Sequence, residues 1–334
     1  MAASDSVSLL FESLSNYCGS WRNLFAGIGL FVVGGVTLRS LWAIGQSLNI
    51  HFLGARNVRF RLTQYGQWAV ITGCTRGIGR EFALLLASYG LDIILVARDE
   101  PKMTELAQFI ESEYGVQTVR VVADFAKGAI VYDSIKTALA DKEIGILINN
   151  VGVMYDYPDY FFQVSETRLW EMINVNMGAA QAMTHAVLNS CMLRRRRGLI
   201  VFVSSICAFQ PTPLMSAYGA TKSYVDFLAR SLSFECQPFN IHVQALVPSY
   251  VATDMTAYSP LIGQASLMSP SAVDYVRHAS WTLGRTTRTT GYFPHTFLLW
   301  GAHILPEWCW LKATTALTHM FRRTALANAA AKSA

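Results

Sequence analysis

Tyr218 and Lys222 stand four positions apart in SAYGATKSYVDF (216–227), a segment with the periodicity of an amphipathic helix. Positions i and i+4 share a helix face, so a phenol and an ammonium can converge on one point. A reacting carbonyl is one candidate for that point, and a plain surface pair is the other reading. A second stretch with chemical content is ITGCTRGIGREFALLL (71–86), where Gly73, Gly77 and Gly79 enclose Thr75, Arg76 and Ile78. A glycine turn between a strand and a helix lets backbone approach a pyrophosphate, whose charge the helix N-terminus stabilises. A glycine-rich turn without a ligand satisfies the same pattern. The second strand ends in Ala97 and Arg98 rather than in an acid that could accept from a ribose 2′-hydroxyl. With Arg76, two guanidiniums could clamp a 2′-phosphate, which favours NADP over NAD. Either arginine could instead pair with Asp99 or Glu100.

The elements that must position these residues are legible as short apolar runs alternating with helical segments. WAVIT (68–72), LDIILVA (91–97), VQTVRVVA (116–123), IGILIN (144–149), LIVFVS (199–204) and NIHVQALV (240–247) read as buried strands rich in Val, Ile and Leu. Repeated βα units predict an α/β fold: a doubly wound parallel sheet of Rossmann type in a single domain. The expected organisation is a hydrophobic anchor or targeting segment over 1–66, the sheet domain over 67–295, and a C-terminal helical extension over 296–334 that ends in a loose tail, ANAAAKSA.

Composition points to contact with a membrane. Of 334 residues 52% are hydrophobic, with a mean hydropathy of +0.29. The net charge of +5 is modest and partly local, in the run Arg194 to Arg197, read as a helix C-terminus complementing its dipole. No nucleic acid partner is expected. The six cysteines lack CxxC or metal spacing, so reduced thiols and no metal are expected. Sixteen uncharged residues, NLFAGIGLFVVGGVTL, lie between Arg22 and Arg39. Asp5 and Glu12 disqualify an ordinary signal peptide or mitochondrial presequence, leaving a membrane anchor or a buried docking helix.

Four motifs together carry a family resemblance: TGCTRGIG (72–79), NNVG (149–152), Ser205, and Tyr218-Gly-Ala-Thr-Lys222. The chain resembles the short-chain dehydrogenase/reductase family over roughly residues 67–295. INVN (173–176), VPSYVATDM (247–255) and TTGYFPH (289–295) resemble its steroid and very-long-chain 3-oxoacyl reductase branch. The resemblance implies that Tyr218 protonates a carbonyl oxygen as hydride arrives from the nicotinamide. It further implies that Lys222 lowers the phenol pKa from ~10 and holds ribose hydroxyls, and that Ser205 binds the substrate oxygen. Asn176 would keep a proton-relaying water. Ser204 and Asn174 are the rivals for the last two roles.

The same resemblance implies cofactor contacts at Asp124 (adenine), Asn150 and Gly152 (adenine ribose) and Thr253 (nicotinamide or phosphate). Pro248-Ser249 replaces the family's Pro-Gly. Tyr250, Met255, Leu261, Ile262, Leu267 and Met268 are expected to line an apolar pocket for a steroid or fatty chain, under a lid formed after Thr253 whose helix starts with Ser269 as cap and Pro270 as first residue. GYFPHTFLLWGAHILPEWCWL reads as an interfacial or a packing helix. The expected activity is NADP(H)-dependent reduction of a lipophilic ketone, or oxidation of the matching alcohol, by a membrane-associated homodimer. A hydroxysteroid dehydrogenase-like group in the branch implies the mitochondrion, with the endoplasmic reticulum membrane as the alternative. Mammalian members of that group carry Phe at the position of Tyr218 and are regarded as inactive, so a dinucleotide-binding scaffold is the competing function.

Overall fold

The computed structural model describes residues 2–333 and divides after Asn49 into two compact units. The first is helical. Helix α1 runs from Ala2 to Phe52; its Leu9–Phe52 portion is long enough to cross a membrane and contains an 18-residue window with a mean hydropathy of 1.8. The helix continues through both Arg22 and Arg39, so the uncharged stretch is the middle of a much longer helix.

The second unit, Ile50–Ala334, begins earlier than the boundary expected at residue 67. The reason is α2 (Val58–Thr63), whose Val58 and Leu62 are buried in the core beneath the sheet. Its Arg61 guanidinium donates to the carbonyls of Leu283 (3.1 Å), Trp281 (3.0 Å) and Ser280 (3.3 Å). These bonds satisfy acceptors that the end of a helix leaves open.

The sheet has strands β1 (Trp68–Thr72), β2 (Asp92–Ala97), β3 (Thr118–Val122), β4 (Ile144–Asn149), β5 (Gly198–Val203), β6 (Ile241–Leu246) and β7 (Arg288–Thr289). Their order is β3-β2-β1-β4-β5-β6-β7, every pairing parallel. Helices α3 (Gly77–Ser88), α4 (Glu100–Tyr114) and α5 (Tyr132–Leu139) connect the first four strands. One long helical run then joins β4 to β5: α6 (Glu166–Met172), α7 (Ala179–Val187) and α8 (Leu193–Arg195), separated by π turns at Ile173–Gly178 and Leu188–Met192. Helix α9 (Ser216–Glu235) precedes β6, the short α10 (Pro260–Gly263) and α11 (Ala272–Thr282) precede β7, and α12 (Phe293–Ile304) and α13 (Glu307–Ser333) follow.

Strand side chains alternate between two cores. Ala69, Ile71, Ile93, Leu95, Ile146 and Val201 meet Phe82 and Leu86 of α3, Met103 of α4 and Tyr275 of α11. Val70, Ile94, Val96, Leu147 and Phe202 meet Ile135 of α5, Met183 of α7 and Val225 of α9. Covering both faces makes β1, β2, β4 and β5 buried at every residue, which is why they read as unbroken apolar runs.

The structure adds one strand and corrects two expectations. The strand β7 has only two residues, too few to carry a pattern. The cap of α11 is Ser271, whose hydroxyl accepts from Asp274 N; Ser269 is buried and donates to Ile262 O (2.6 Å), while Pro270 O accepts from Ala252 N. The tail expected to be loose is helical to Ser333, with Ala334 outside the described residues.

His295, on α12, fastens the last strand region to the segment after β6. Its Nδ1 accepts from Ser249 N (3.2 Å), so its Nε2 carries the proton and donates to Met268 O (3.1 Å). Burial draws the imidazole down from 6.5 to about 4. The unfolded chain therefore binds this proton below pH 6.5 while the folded chain resists it until about 4, and stability falls as pH drops through that window, by at most ~3 kcal/mol. Calorimetry should show the unfolding midpoint falling between pH 6.5 and 4 more steeply in the native chain than in His295→Gln. Parallel curves would assign the acid sensitivity elsewhere.

Candidate active site

A cavity of about 610 Å³ opens at the carboxyl ends of the strands, and its wall includes residues following each of β1 to β6. It lies across the β1/β4 boundary, where the strand order reverses and doubly wound sheets leave a crevice. Gly73, Thr75, Arg76, Gly77 and Ile78 line one end. Gly73 and Gly77 sit at φ +67° and +51°, in the left-handed region that only glycine adopts without cost. At Gly79 a Cβ would collide with Gly73 O and Asn150 Nδ2. Asn150 closes this turn: its Nδ2 donates to Thr72 O (3.0 Å) and Gly73 O (3.1 Å). The Thr72 hydroxyl accepts from the backbone amides of Asn150 (3.0 Å) and Val151 (3.1 Å). The turn after β1 is thus pinned to the end of β4, presenting the start of α3 to the cavity. That cradle fits a pyrophosphate.

Arg76 and Arg98 both line the same end, with Ala97 and Asp124. Neither pairs in the manner expected. Arg76 meets Asp254 at 3.3 Å and Arg98 meets Glu171 at 3.6 Å. Asp99 is engaged by Lys102 (3.0 Å) and caps α4. Asp124 accepts from Ala126 N and caps the turn after β3.

Tyr218, Lys222 and Ser205 line the other end, with Asn176 buried close by outside the lining. Lys222 Nζ donates to Val203 O (2.9 Å) and stands 5.7 Å from the Tyr218 ring centroid. A Cβ on Gly152 would lie 3.3 Å from Lys222 Nζ and 3.4 Å from Asn176 Oδ1, so those two groups flank one spot. The structure therefore sets Gly152 beside the ammonium. Asn176 is held in the first π turn; its Oδ1 accepts from Val153 N (2.8 Å), and its Nδ2 donates to Val153 O and Thr221 Oγ1 (both 2.9 Å). Asn174 is committed elsewhere, donating to Ala126 O (3.1 Å). The two serines also part ways. Ser204 Oγ donates to the Lys222 carbonyl (2.7 Å), whereas Ser205 lines the cavity beside Tyr218 and its Oγ accepts from Cys207 N (3.3 Å).

Burial governs the electrostatics. The Tyr218 phenol is pushed up, chiefly by desolvation and next by the nearby Cys207 thiol, with Ser205 countering in part. This differs from the expected lowering by Lys222: at this separation the ammonium does not offset the loss of water. Lys222 itself is drawn down to about 8 by burial. The phenol is thus held protonated, as a proton donor requires.

The far wall is where the structure departs most from the sequence-based expectation. Tyr250, Met255 and Thr253 line the cavity as expected. Leu261, Ile262, Leu267 and Met268 do not; Leu261 and Leu267 are solvent-exposed and Ile262 packs inward. In their place stand Met154, Tyr155, Met215, Tyr258 and, from α13, Thr318 and Phe321. Phe321 meets Tyr250 and Tyr258 edge-on, with ring centroids 5.7 and 6.1 Å apart. Arg322 ties α13 down through Asp159 (2.7 Å) and lies over the Tyr160 ring. The uncommitted aromatic and polar residues of α13 are the only sequence signal of this wall.

Comparison with known proteins places these features in context. A family model described as short chain dehydrogenase matches residues 67–260. The chain is 42% identical over 327 residues to inactive hydroxysteroid dehydrogenase-like protein 1 of Pongo abelii, covering 98% of this chain and 99% of that one. It is 41% identical over 243 residues to very-long-chain 3-oxoacyl-CoA reductase of Anas platyrhynchos, covering 72% and 76%. Among solved structures, a short-chain dehydrogenase from Sphingobium yanoikuyae in complex with NADPH superposes with a TM-score of 0.58 at 30% identity, covering 64% of this chain and 82% of that one.

The α13 wall generates a test. Arg322→Gln removes the ion pair with Asp159 and should loosen α13 without unfolding the sheet. Amide exchange over 314–326 is expected to speed up severalfold, while exchange in β4 and β5 stays unchanged. Unaltered exchange in α13 would show that ring packing alone holds it.

Proposed function

The chain belongs to the short-chain dehydrogenase family, and from that premise we propose that it reduces a ketone on a lipophilic substrate with NADPH, or oxidises the matching alcohol. The observation that carries this reading is the convergence of Tyr218, Ser205 and Lys222 in the cavity that also holds the glycine turn. A bound nicotinamide dinucleotide supplies the hydride. Tyr218 Oη gives its proton to the carbonyl oxygen, and Ser205 Oγ orients that oxygen by a hydrogen bond. Lys222 spends one of its three donors on Val203 O, leaving the others for ribose hydroxyls and a water beside Asn176. A phenol held protonated by burial suits reduction better than oxidation. Met154, Met215, Tyr250, Met255 and Phe321 offer a steroid or acyl chain an apolar wall, which fits the 3-oxoacyl-CoA reductase named above.

The preference for NADPH rests on Arg76 and Arg98. Their acidic partners are at 3.3 and 3.6 Å, and both guanidiniums are more than half exposed. Such exposed pairs are worth roughly 0–1 kcal/mol, so a doubly charged 2′-phosphate can displace the carboxylates. Membrane association is part of the reading, supported by the apolar Leu9–Phe52 helix. The proposed compartment is the mitochondrion, or alternatively the endoplasmic reticulum membrane, and the proposed assembly is a homodimer. A second reading, a scaffold that binds the dinucleotide without turnover, is favoured by the name of the relative at 42% identity. The hydroxyl of Tyr218 stands against it.

Three measurements test the proposal. Tyr218→Phe should lower turnover of a reducible steroid or acyl ketone by ~10² to 10⁴-fold with NADPH affinity nearly unchanged. If the native chain reduces none of a broad ketone panel, the scaffold reading prevails. Reduction should decline above pH 8 or so as Lys222 loses its proton, and Lys222→Arg should move that limb upward. Arg98→Asp should weaken NADPH binding about tenfold, equivalent to about 1.4 kcal/mol, and improve NADH relatively. Equal affinity of the native protein for both dinucleotides would sink the 2′-phosphate clamp.

A further inference from the structure

Helix α12 buries His295 and Ala302 but leaves an apolar side uncovered. Phe297 is 57% exposed, Ile304 77%, and beyond the helix end Leu305 41% and Trp308 62%. From Phe293 to Pro306 no Asp, Glu, Lys or Arg occurs. Contiguous apolar surface of this kind is unusual on a soluble monomer and marks a contact. What covers it is indicated by its continuity with the end of α1. Phe52 packs edge-on to Phe293 at 5.3 Å, Phe293 to Phe297 at 5.4 Å, and Phe297 to Trp300 at 6.3 Å. One aromatic run therefore leads from the last residue of the membrane-length helix onto α12. Phe52 and Leu53 are themselves exposed. Chain connectivity alone keeps this run close to any bilayer that α1 enters.

We propose that α12 and the first turn of α13 form a second membrane contact, lying in the interface of the bilayer that α1 enters without crossing it. The inference rests on the membrane-anchor reading above. Its partner is a lipid surface, suited to a segment with Trp at its polar edge and Phe, Leu and Ile along its body. A competing apolar stripe, Phe227, Phe234 and Phe239, lacks these arguments: it has no continuity with α1 and is interrupted by Arg230 and Glu235. The contact would also serve the cavity. Gln210 donates to the carbonyls of Ala302 and of Leu305 (3.2 Å), tying α12 to the segment after Ser205 and Cys207. Helix α13 continues from the contact to Thr318 and Phe321 in the cavity wall. A lipophilic ketone dissolved in the bilayer would then meet the enzyme on the side that borders its own site.

The test uses the full-length protein reconstituted in phosphatidylcholine vesicles doped with a phosphatidylcholine that carries a photoactivatable diazirine on its acyl chain. After irradiation and digestion, lipid adducts are mapped by mass spectrometry. Adducts both in 9–49 and in 293–308 are expected. Adducts in 9–49 alone overturn the inference and leave the anchor standing. Adducts in neither region overturn both. Adducts in 9–49 and 227–239 but not in 293–308 also overturn it, since the lipid would then lie against the other stripe.

Discussion

The attachment of α9 to the end of β5 is the constraint on which the site depends. Two hydrogen bonds make it, and both involve Lys222: its carbonyl accepts from Ser204 Oγ, and its ammonium donates to Val203 O. A third, from Ser223 Oγ to Ala208 O, extends the seam. With Lys222 held at both ends, Tyr218 one turn earlier faces the cavity at a fixed depth. The consecutive residues Val203, Ser204 and Ser205 thus have three different tasks, because successive side chains leaving a strand point to opposite faces. Ser204 turns to the helix backbone and Ser205 to the cavity.

Much of this arrangement is legible in the amino-acid sequence, and the physical reason is uniform. Strands buried on both faces leave continuous Val, Ile and Leu runs, so the apolar pattern delimits β1 and β4 to the residue and the other long strands to within a few. The glycine turn is legible because backbone approach excludes side chains there. The choices between Ser204 and Ser205, and between Asn174 and Asn176, hinge on which way a side chain points after a bend. Spacing alone carries no such information. The substrate wall escapes the sequence for a different reason. Apolarity states that a side chain seeks cover, not where it finds it, and Leu261, Ile262, Leu267 and Met268 find it outside the cavity or not at all. The true wall returns from 163 positions along the chain, through Arg322 and Asp159.

The electrostatic outcome shows which of two opposing effects wins. A neighbouring cation lowers a phenol's pKa, while loss of water raises it. For Tyr218 the loss of water is the largest influence, so desolvation prevails. The same burial lowers Lys222, bringing the two groups' proton affinities apart rather than together. An arriving substrate and dinucleotide enter a site whose proton is already on the donor.

The two π turns between α6 and α8 have a consequence of their own. Each wide turn absorbs a residue beyond what an α-helix of that rise would use, and one residue corresponds to roughly 100° of rotation. The first delay carries Asn176 inward against Val153 and Thr221 and then lets Met183 and Val187 of α7 return to the sheet. The second brings Cys191 and Met192 inward before the chain turns into β5. The run from Glu166 to Arg195 is therefore phased rather than periodic, and its length is a structural variable in its own right. A gain or loss of one residue anywhere along it would leave composition almost untouched and turn every later side chain to a different neighbour.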